Sequence, residues 1–277
     1  MSSPPSLPAS NAKYTGLLRL RVTRLPDPVP LPNRSGTEVW HDHQGREVGY
    51  GHAQEGWLHL LGVATFSFGP GGVEAVAPEG VAIEKIRDAH RRTVVPLTLH
   101  ALGQEVLHAS AAAFDAGAVA FCAESGTGKS TVAYMLARRG HSPCADDAVA
   151  VEPGLRGPEV IPLPFALRLR PASAAYYGEE AGPVEVQQPV ARRPLAAVCV
   201  LQRGDEGAGI RRLGRAEAFP ALLAHAYSFG SQDERRGRRM MEHYLSIASQ
   251  VPVFHVGLAS GLSTLDGTLD ELQAALA

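Results

Sequence analysis

Apolar and polar residues alternate over Leu18-Arg19-Leu20-Arg21-Val22-Thr23, the period of two expected of a half-buried strand. A proline-rich stretch at 26–32 interrupts it. Val39-Trp40-His41-Asp42-His43 and Val48-Gly49-Tyr50 then flank Gln44-Gly45, which predicts a hairpin. Residues 57–60, 64–68 and 73–76 add three short strands, with Gly69-Pro70-Gly71-Gly72 turning between the last two. The spacing changes to a helical one over 81–92, which closes on Arg91-Arg92. A second helix is expected over 96–102, with Pro96 early, where a missing N–H costs little. Leu107-His108-Ala109-Ser110, Ala111 to Phe114 and the turn Asp115-Ala116-Gly117 read as one arm and the bend of a hairpin. Further on, the unbroken apolar run 195–201 suits a strand inside a sheet covered on both faces. Helices are expected at 216–226 and 233–249, the latter with Met240, Met241, Leu245 and Ile247 on its apolar side. A strand at 253–256 and a closing helix at 268–276 complete the chain.

These elements predict an α/β fold: a β-rich module over 1–94, begun by a disordered Ser/Pro-rich leader at 1–11, and a sheet flanked by helices over 95–277. The hairpin carrying His41 and His43 offers two imidazoles and no convincing third metal ligand, so it reads as a hairpin with exposed histidines.

The chemistry concentrates after the second arm of the later hairpin. Val119-Ala120-Phe121-Cys122 leads into Ala123-Glu124-Ser125-Gly126-Thr127-Gly128-Lys129-Ser130-Thr131, and a helix-patterned segment follows. Strand, glycine-bearing turn and helix are the context of a phosphate-binding loop. Gly126 and Gly128 can adopt backbone angles closed to other residues, so several N–H groups can point into one concavity. The helix start adds its positive dipole end, Lys129 a mobile charge for the outer phosphates, and Ser130 a hydroxyl for magnesium. The loop residues 124–131 are therefore the expected nucleotide contacts. Ala123 stands where the usual pattern has its first glycine.

After the helix, Arg138-Arg139-Gly140-His141 is a stop signal. Asp146-Asp147 follows, ahead of the apolar Val149-Ala150-Val151. Adjacent carboxylates beside an apolar strand are costly to bury unless paired, protonated or bound to metal. Next to a phosphate-binding loop they suit magnesium binding and proton acceptance. Arg168 and Arg170 alternate with Leu167 and Leu169, one face of a strand, and either steady a phosphoryl group or face solvent. Arg235-Arg236-Gly237-Arg238-Arg239 gathers positive charge at a helix start, against the dipole; Arg235 and Arg238 are candidate contacts for phosphate or an acidic peptide.

Taken in order, Leu107-His108, the loop from Glu124 to Ser130, Arg139-Gly140-His141 and Ala145-Asp146-Asp147 resemble the catalytic domain of the HPr kinase/phosphorylase family. They resemble still more its smaller relatives found with peptide natural-product pathways, some of which phosphorylate a serine of a lasso-peptide precursor. The resemblance covers roughly residues 95–277 and is strongest over 106–151. It implies an ATP- and Mg2+-dependent serine kinase acting on a peptide or small protein. Lys129 would contact the β- and γ-phosphates, and Ser130 with Asp147 or Asp146 would hold magnesium. Asp146 would accept the serine proton, with His108 beside it. The bifunctional members carry a Glu-x-Arg-Gly-x-Gly-Ile-Ile signature after the aspartate strand. Here Val160-Ile161-Pro162-Leu163-Pro164-Phe165 follows instead, which argues against the phosphorylase reaction and against the carrier protein HPr as substrate.

Composition excludes some partners. Lys+Arg 26 against Asp+Glu 28 gives a net charge of −2, so no global basic field draws the chain to nucleic acid or to a membrane surface. Three cysteines without C-x-x-C spacing fit a reduced, cytoplasmic protein. No apolar run is long enough to span a bilayer. Self-association into a homo-oligomer stays open. Two other functions fit the same residues: a small-molecule kinase or ATPase, and a peptide-binding module gated by nucleotide. The absence of an Asn-Lys-x-Asp motif leans toward ATP over GTP.

Overall fold

The computed structural model describes residues 19–26, 37–41, 47–51, 56–69, 72–101, 103–184, 186–187, 191–204, 209–227 and 234–276. The leader at 1–11, Leu18, the Gln44-Gly45 turn and His43 lie outside them, as does the side chain of His41. The chain divides into two compact units, residues 1–103 with 228–237 and residues 104–227 with 238–277. The boundary expected from sequence stood at 94/95.

In the first unit the described strands are β1 (Leu20–Leu25), β2 (Thr37–His41), β3 (Glu47–Gly51), β4 (Gly56–Leu60), β5 (Ala64–Gly69) and β6 (Gly72–Pro78). They form one sheet in the order β1-β6-β5-β4-β3-β2, antiparallel except for the β1–β6 pair. Alternation along β4, β5 and β6 sends Leu58, Phe66, Phe68, Val73, Ala75 and Ala77 to one face, where Ile86, Val94 and Leu97 cover them. Those three come from a single helical rod. It comprises α1 (Ile83–Ala89), a π-helical turn (His90–Val94) and α2 (Val95–Ala101). The break expected at Arg91-Arg92 does not occur. The amide of Val95 reaches back five residues to His90 O, and this wider turn lets the helix run on through Pro96, whose ring would crowd an ordinary turn.

The second unit holds β7 (Glu105–Leu107), β8 (Ala109–Phe114), β9 (Gly117–Cys122), α3 (Lys129–Arg138), β10 (Pro143–Ala145), β11 (Val149–Gly154), β12 (Gly157–Ile161), β13 (Leu167–Leu169), α4 (Pro171–Tyr177), β14 (Gly182–Val184), β15 (Arg193–Arg203), β16 (Gly209–Arg212), α5 (Arg215–Leu223), α6 (Glu234–Gln250, entered from the first unit), β17 (Val253–Leu258) and α7 (Leu265–Leu276). β9, β15 and β17 are parallel neighbours, and β8, β10 and β16 extend the sheet antiparallel. The start of β15 passes the sheet on to β12, β11 and β7.

Both faces of the parallel centre are covered. Val119 and Phe121 of β9 pack with Val132 and Leu136 of α3 and Leu269 of α7. Ala120 and Cys122 face Leu222 of α5 and Tyr244 of α6. The unbroken apolar run of β15 is thereby explained: Cys199 and Leu201 serve one layer, Val198 the other. All three cysteines are buried and free, and burial pushes the Cys122 thiol up to about 12.

Two helix readings change. On α6 the buried positions are Tyr244, Ile247 and Ala248, while Met241 and Leu245 are 37% and 50% exposed. Of the expected apolar side, Ile247 is buried and Met240 packs against the same cluster; Tyr244 fills the rest of the stripe, which leaves Met241 and Leu245 out. α7 begins at Leu265 rather than 268, and its first turn is held by Arg139, which bonds Asp266 and Asp270.

Candidate active site

The loop between β9 and α3 is shaped by two glycines. Gly126 has φ 96° and Gly128 φ 127°, angles that L side chains rarely adopt. Ala123 is fully buried and is not among the positive-φ residues, so the missing first glycine needs no strained backbone. Gly128 caps α3, and Val132 N already bonds Gly128 O at 2.9 Å. The amides of the first turn before Val132 have no intrahelical acceptor, as at the start of any α-helix.

Lys129 is buried and bends back across the loop. Its Nζ donates to Ala123 O at 2.8 Å and to Glu124 O at 3.3 Å. Burial pushes its pKa down, against the pull of Asp147, Cys122 and Asp146. Carbonyl contacts of this kind are exchangeable for phosphate oxygens, which would restore a full partner charge to the ammonium.

Asp146 lies at the end of β10 and is 7% exposed. Its Oδ1 accepts from Ser110 Oγ at 2.6 Å and from Ser130 Oγ at 2.9 Å, and its Oδ2 from Arg168 N at 3.3 Å. Burial, and then the charge of Asp147, raise its pKa to about 6 in spite of those bonds. Asp147 is half-buried and sits in the left-handed region with φ 64°, the one non-glycine residue there among those described. In an extended strand, consecutive side chains point to opposite faces. The left-handed residue breaks that alternation, and both carboxylates act on Lys129.

His108 occupies the bend between β7 and β8. Its amide bonds His225 O at 2.7 Å, and its ring meets Tyr227 edge-on at 6.0 Å between centroids. Arg168 reaches Asp146 through its backbone amide. Arg170, at the start of α4, donates to Ser125 Oγ at 3.0 Å. Thr131 shares a hydrogen bond with Ser173 of α4 at 3.0 Å. Arg238 is not among the groups gathered here. It and Arg235 are exposed in the first turns of α6, on either side of the division between the units.

Sequence reasoning passed over four contributors. Ser110 is fully buried and gives Asp146 its shortest bond; its signal was a lone hydroxyl within an alanine run. Arg203 ends β15 and donates from Nε to Thr127 O at 2.8 Å. Its place at the carboxyl end of a central parallel strand is where ligands of such sheets bind, and that was readable. Tyr227 and His225 come from beyond α5, with no local signal. A shallow groove of only about 10 Å³ lies beside the loop, lined by Gly128, Thr131, Arg203, Leu258, Gly261 and Leu262 among others.

Among the described residues no three His, Cys, Asp or Glu side chains cluster as a metal cage. The Ser130 and Asp146 oxygens do converge, and hard oxygen donors of this kind suit Mg2+, which commonly completes its shell with water and phosphate oxygens. No described helix is long and apolar enough to cross a membrane.

No protein-family model matches the chain, and no curated protein matches it significantly. Among solved structures, the HPr(Ser) kinase/phosphatase from Coxiella burnetii aligns over 61% of this chain and 89% of its own, with 13% identity and a TM-score of 0.35.

Proposed function

We propose that the second unit is an ATP- and Mg2+-dependent kinase that transfers the γ-phosphoryl group to a serine hydroxyl of a peptide or small protein. One observation carries the reading: Lys129, Ser130 and the Asp146-Asp147 pair meet at the mouth of a glycine-shaped loop that opens a helix. A loop that merely turned would need neither the buried ammonium nor two neighbouring carboxylates.

In this reading the amides of the loop and first helical turn cradle the phosphates, and Lys129 leaves its carbonyls for the outer ones. Ser130 and Asp146 hold Mg2+, which supplies charge neutralisation on the phosphates when bound. Arg170 and Arg203, already on the loop at Ser125 and Thr127, flank the phosphate path.

With Asp146 fixed by Ser110 and Arg168 and turned with Ser130 toward Mg2+, we assign the acceptor proton to Asp147. That reverses the division implied by the sequence resemblance. The peptide acceptor rests on that resemblance, in the order of Leu107-His108, the loop, Arg139-Gly140-His141 and Asp146-Asp147.

Titration calorimetry with Mg2+ and ATP tests the nucleotide half. The wild type should bind, and Lys129→Ala should weaken binding by tenfold or more, on the order expected for a lost charge-assisted contact. Equal affinity in the two proteins would remove the loop from the account.

A further inference from the structure

The segment 225–227, just beyond α5, is laid against β7 like a short extra strand. His108 N donates to His225 O at 2.7 Å, Tyr227 N donates to Val106 O at 2.8 Å, and Leu107 and Ala226 form an antiparallel bridge. This pairing holds Tyr227 from both sides of its register. Its ring lies edge-on to His108, and its hydroxyl donates to Asp147 O at 3.3 Å. His225, one register step away, is close enough to Lys129 for the ammonium charge, after burial, to lower its pKa. The segment is therefore part of the site, though it lies 80 residues beyond Asp147 at Tyr227.

Asp147 needs such support. A left-handed backbone at a non-glycine residue is disfavoured, and it persists when the surroundings over-determine it. Aspartate tolerates the conformation better than most residues. Relaxation toward an extended backbone would turn one carboxylate of the pair to the opposite face. The Asp147 carbonyl is the handle on that backbone, and Tyr227 holds it.

We propose that Tyr227 is a positioning residue. By fixing the Asp147 carbonyl it keeps Asp147 left-handed and its carboxylate on the phosphate side of the site, and it carries the influence of His108 to that aspartate. The proposal rests on the assignment of Asp147 as proton acceptor. Tyr227 acts in this proposal through the Asp147 backbone, so its removal should act on the rate and spare nucleotide binding.

The test compares wild type, Tyr227→Phe, Asp147→Asn and the double variant for ATP-dependent transfer and ATP affinity, with hydrogen exchange measured over residues 145–151. Phenylalanine keeps the ring and its contact with His108, so folding should be preserved. Tyr227→Phe should lower kcat about tenfold with unchanged ATP affinity, and should cause no further loss on top of Asp147→Asn. Exchange over 145–151 should quicken while the loop 123–131 is unaltered. An unchanged kcat, or losses that multiply in the double variant, would overturn the proposal. If the wild type turns over no ATP, the kinase reading fails on its own and exchange alone decides. Faster exchange over 145–151 then upholds the positioning role, and unchanged exchange ends it.

Discussion

Ser130 and Asp146 meet hydroxyl to carboxylate at 2.9 Å, across sixteen residues of helix and strand. The contact ties the start of α3 to the end of β10, so the glycine-shaped loop and the carboxylate pair are one construction. Ser110, from β8, closes the same carboxylate at 2.6 Å. Three chain segments thus fix one side chain that would otherwise be expensive to bury.

Replacing that carboxylate should reveal its cost. The folded pKa of Asp146 lies above its ordinary value of 3.8, at about 6, so the native state holds the extra proton between those values. The group's contribution to stability is therefore full below the lower value and falls as pH rises through the upper one. Asp146→Asn, neutral throughout, should melt higher than wild type at about pH 7.5 without metal, by roughly 1–2 kcal/mol, and lose that advantage at about pH 4. Thermal melts at the two pH values check it. Added Mg2+ should stabilise the wild type and leave the variant unmoved.

Ser110→Ala removes a buried donor and leaves its acceptor short of one partner. Stability should fall by about 1–2 kcal/mol, and the Asp146 pKa should climb further, because the bond from Ser110 favours the charged form. Denaturant melts read the first effect, and the pH dependence of the melts reads the second.

The loop glycines separate binding from folding. Gly128 has φ 127°, and a Cβ there would lie 3.5 Å from the Arg203 guanidinium; Gly140, past the end of α3, has φ 93° and open space around it. Alanine at either position should cost stability, about 1–3 kcal/mol. Gly128→Ala alone should also weaken ATP binding, by tenfold or more, since it re-aims the amides of the cradle. Calorimetry on the two variants side by side distinguishes these effects.

Local features were largely legible in the chain. Strand alternation, the glycine turn before Lys129, the stop at Gly140 and the apolar run of β15 each depend on neighbours in sequence, and each appears in place. What pattern could not supply is long-range. Tyr244 claims the stripe of α6, so Met241 and Leu245 are left outside. Pro96 continues a helix because Val95 bonds back to His90, which no propensity rule anticipates. At the candidate site, Lys129, Ser130 and the aspartates stand out in the sequence by type and spacing. Ser110, Arg203 and Tyr227 matter only because the sheet and the 225–227 pairing bring them to the loop.

The most direct test is transfer itself. Purified protein is incubated with Mg2+, ATP and a panel of serine-containing peptides, and the products are read by mass spectrometry beside Lys129→Ala and Asp147→Asn. The account predicts a phosphate-mass gain on a serine in the wild type, abolished by Lys129→Ala and lowered by about a hundredfold or more in Asp147→Asn, with ATP still bound by the latter. ATP consumption with no modified peptide would contradict the peptide acceptor, and equal transfer by the Lys129→Ala protein would contradict the site.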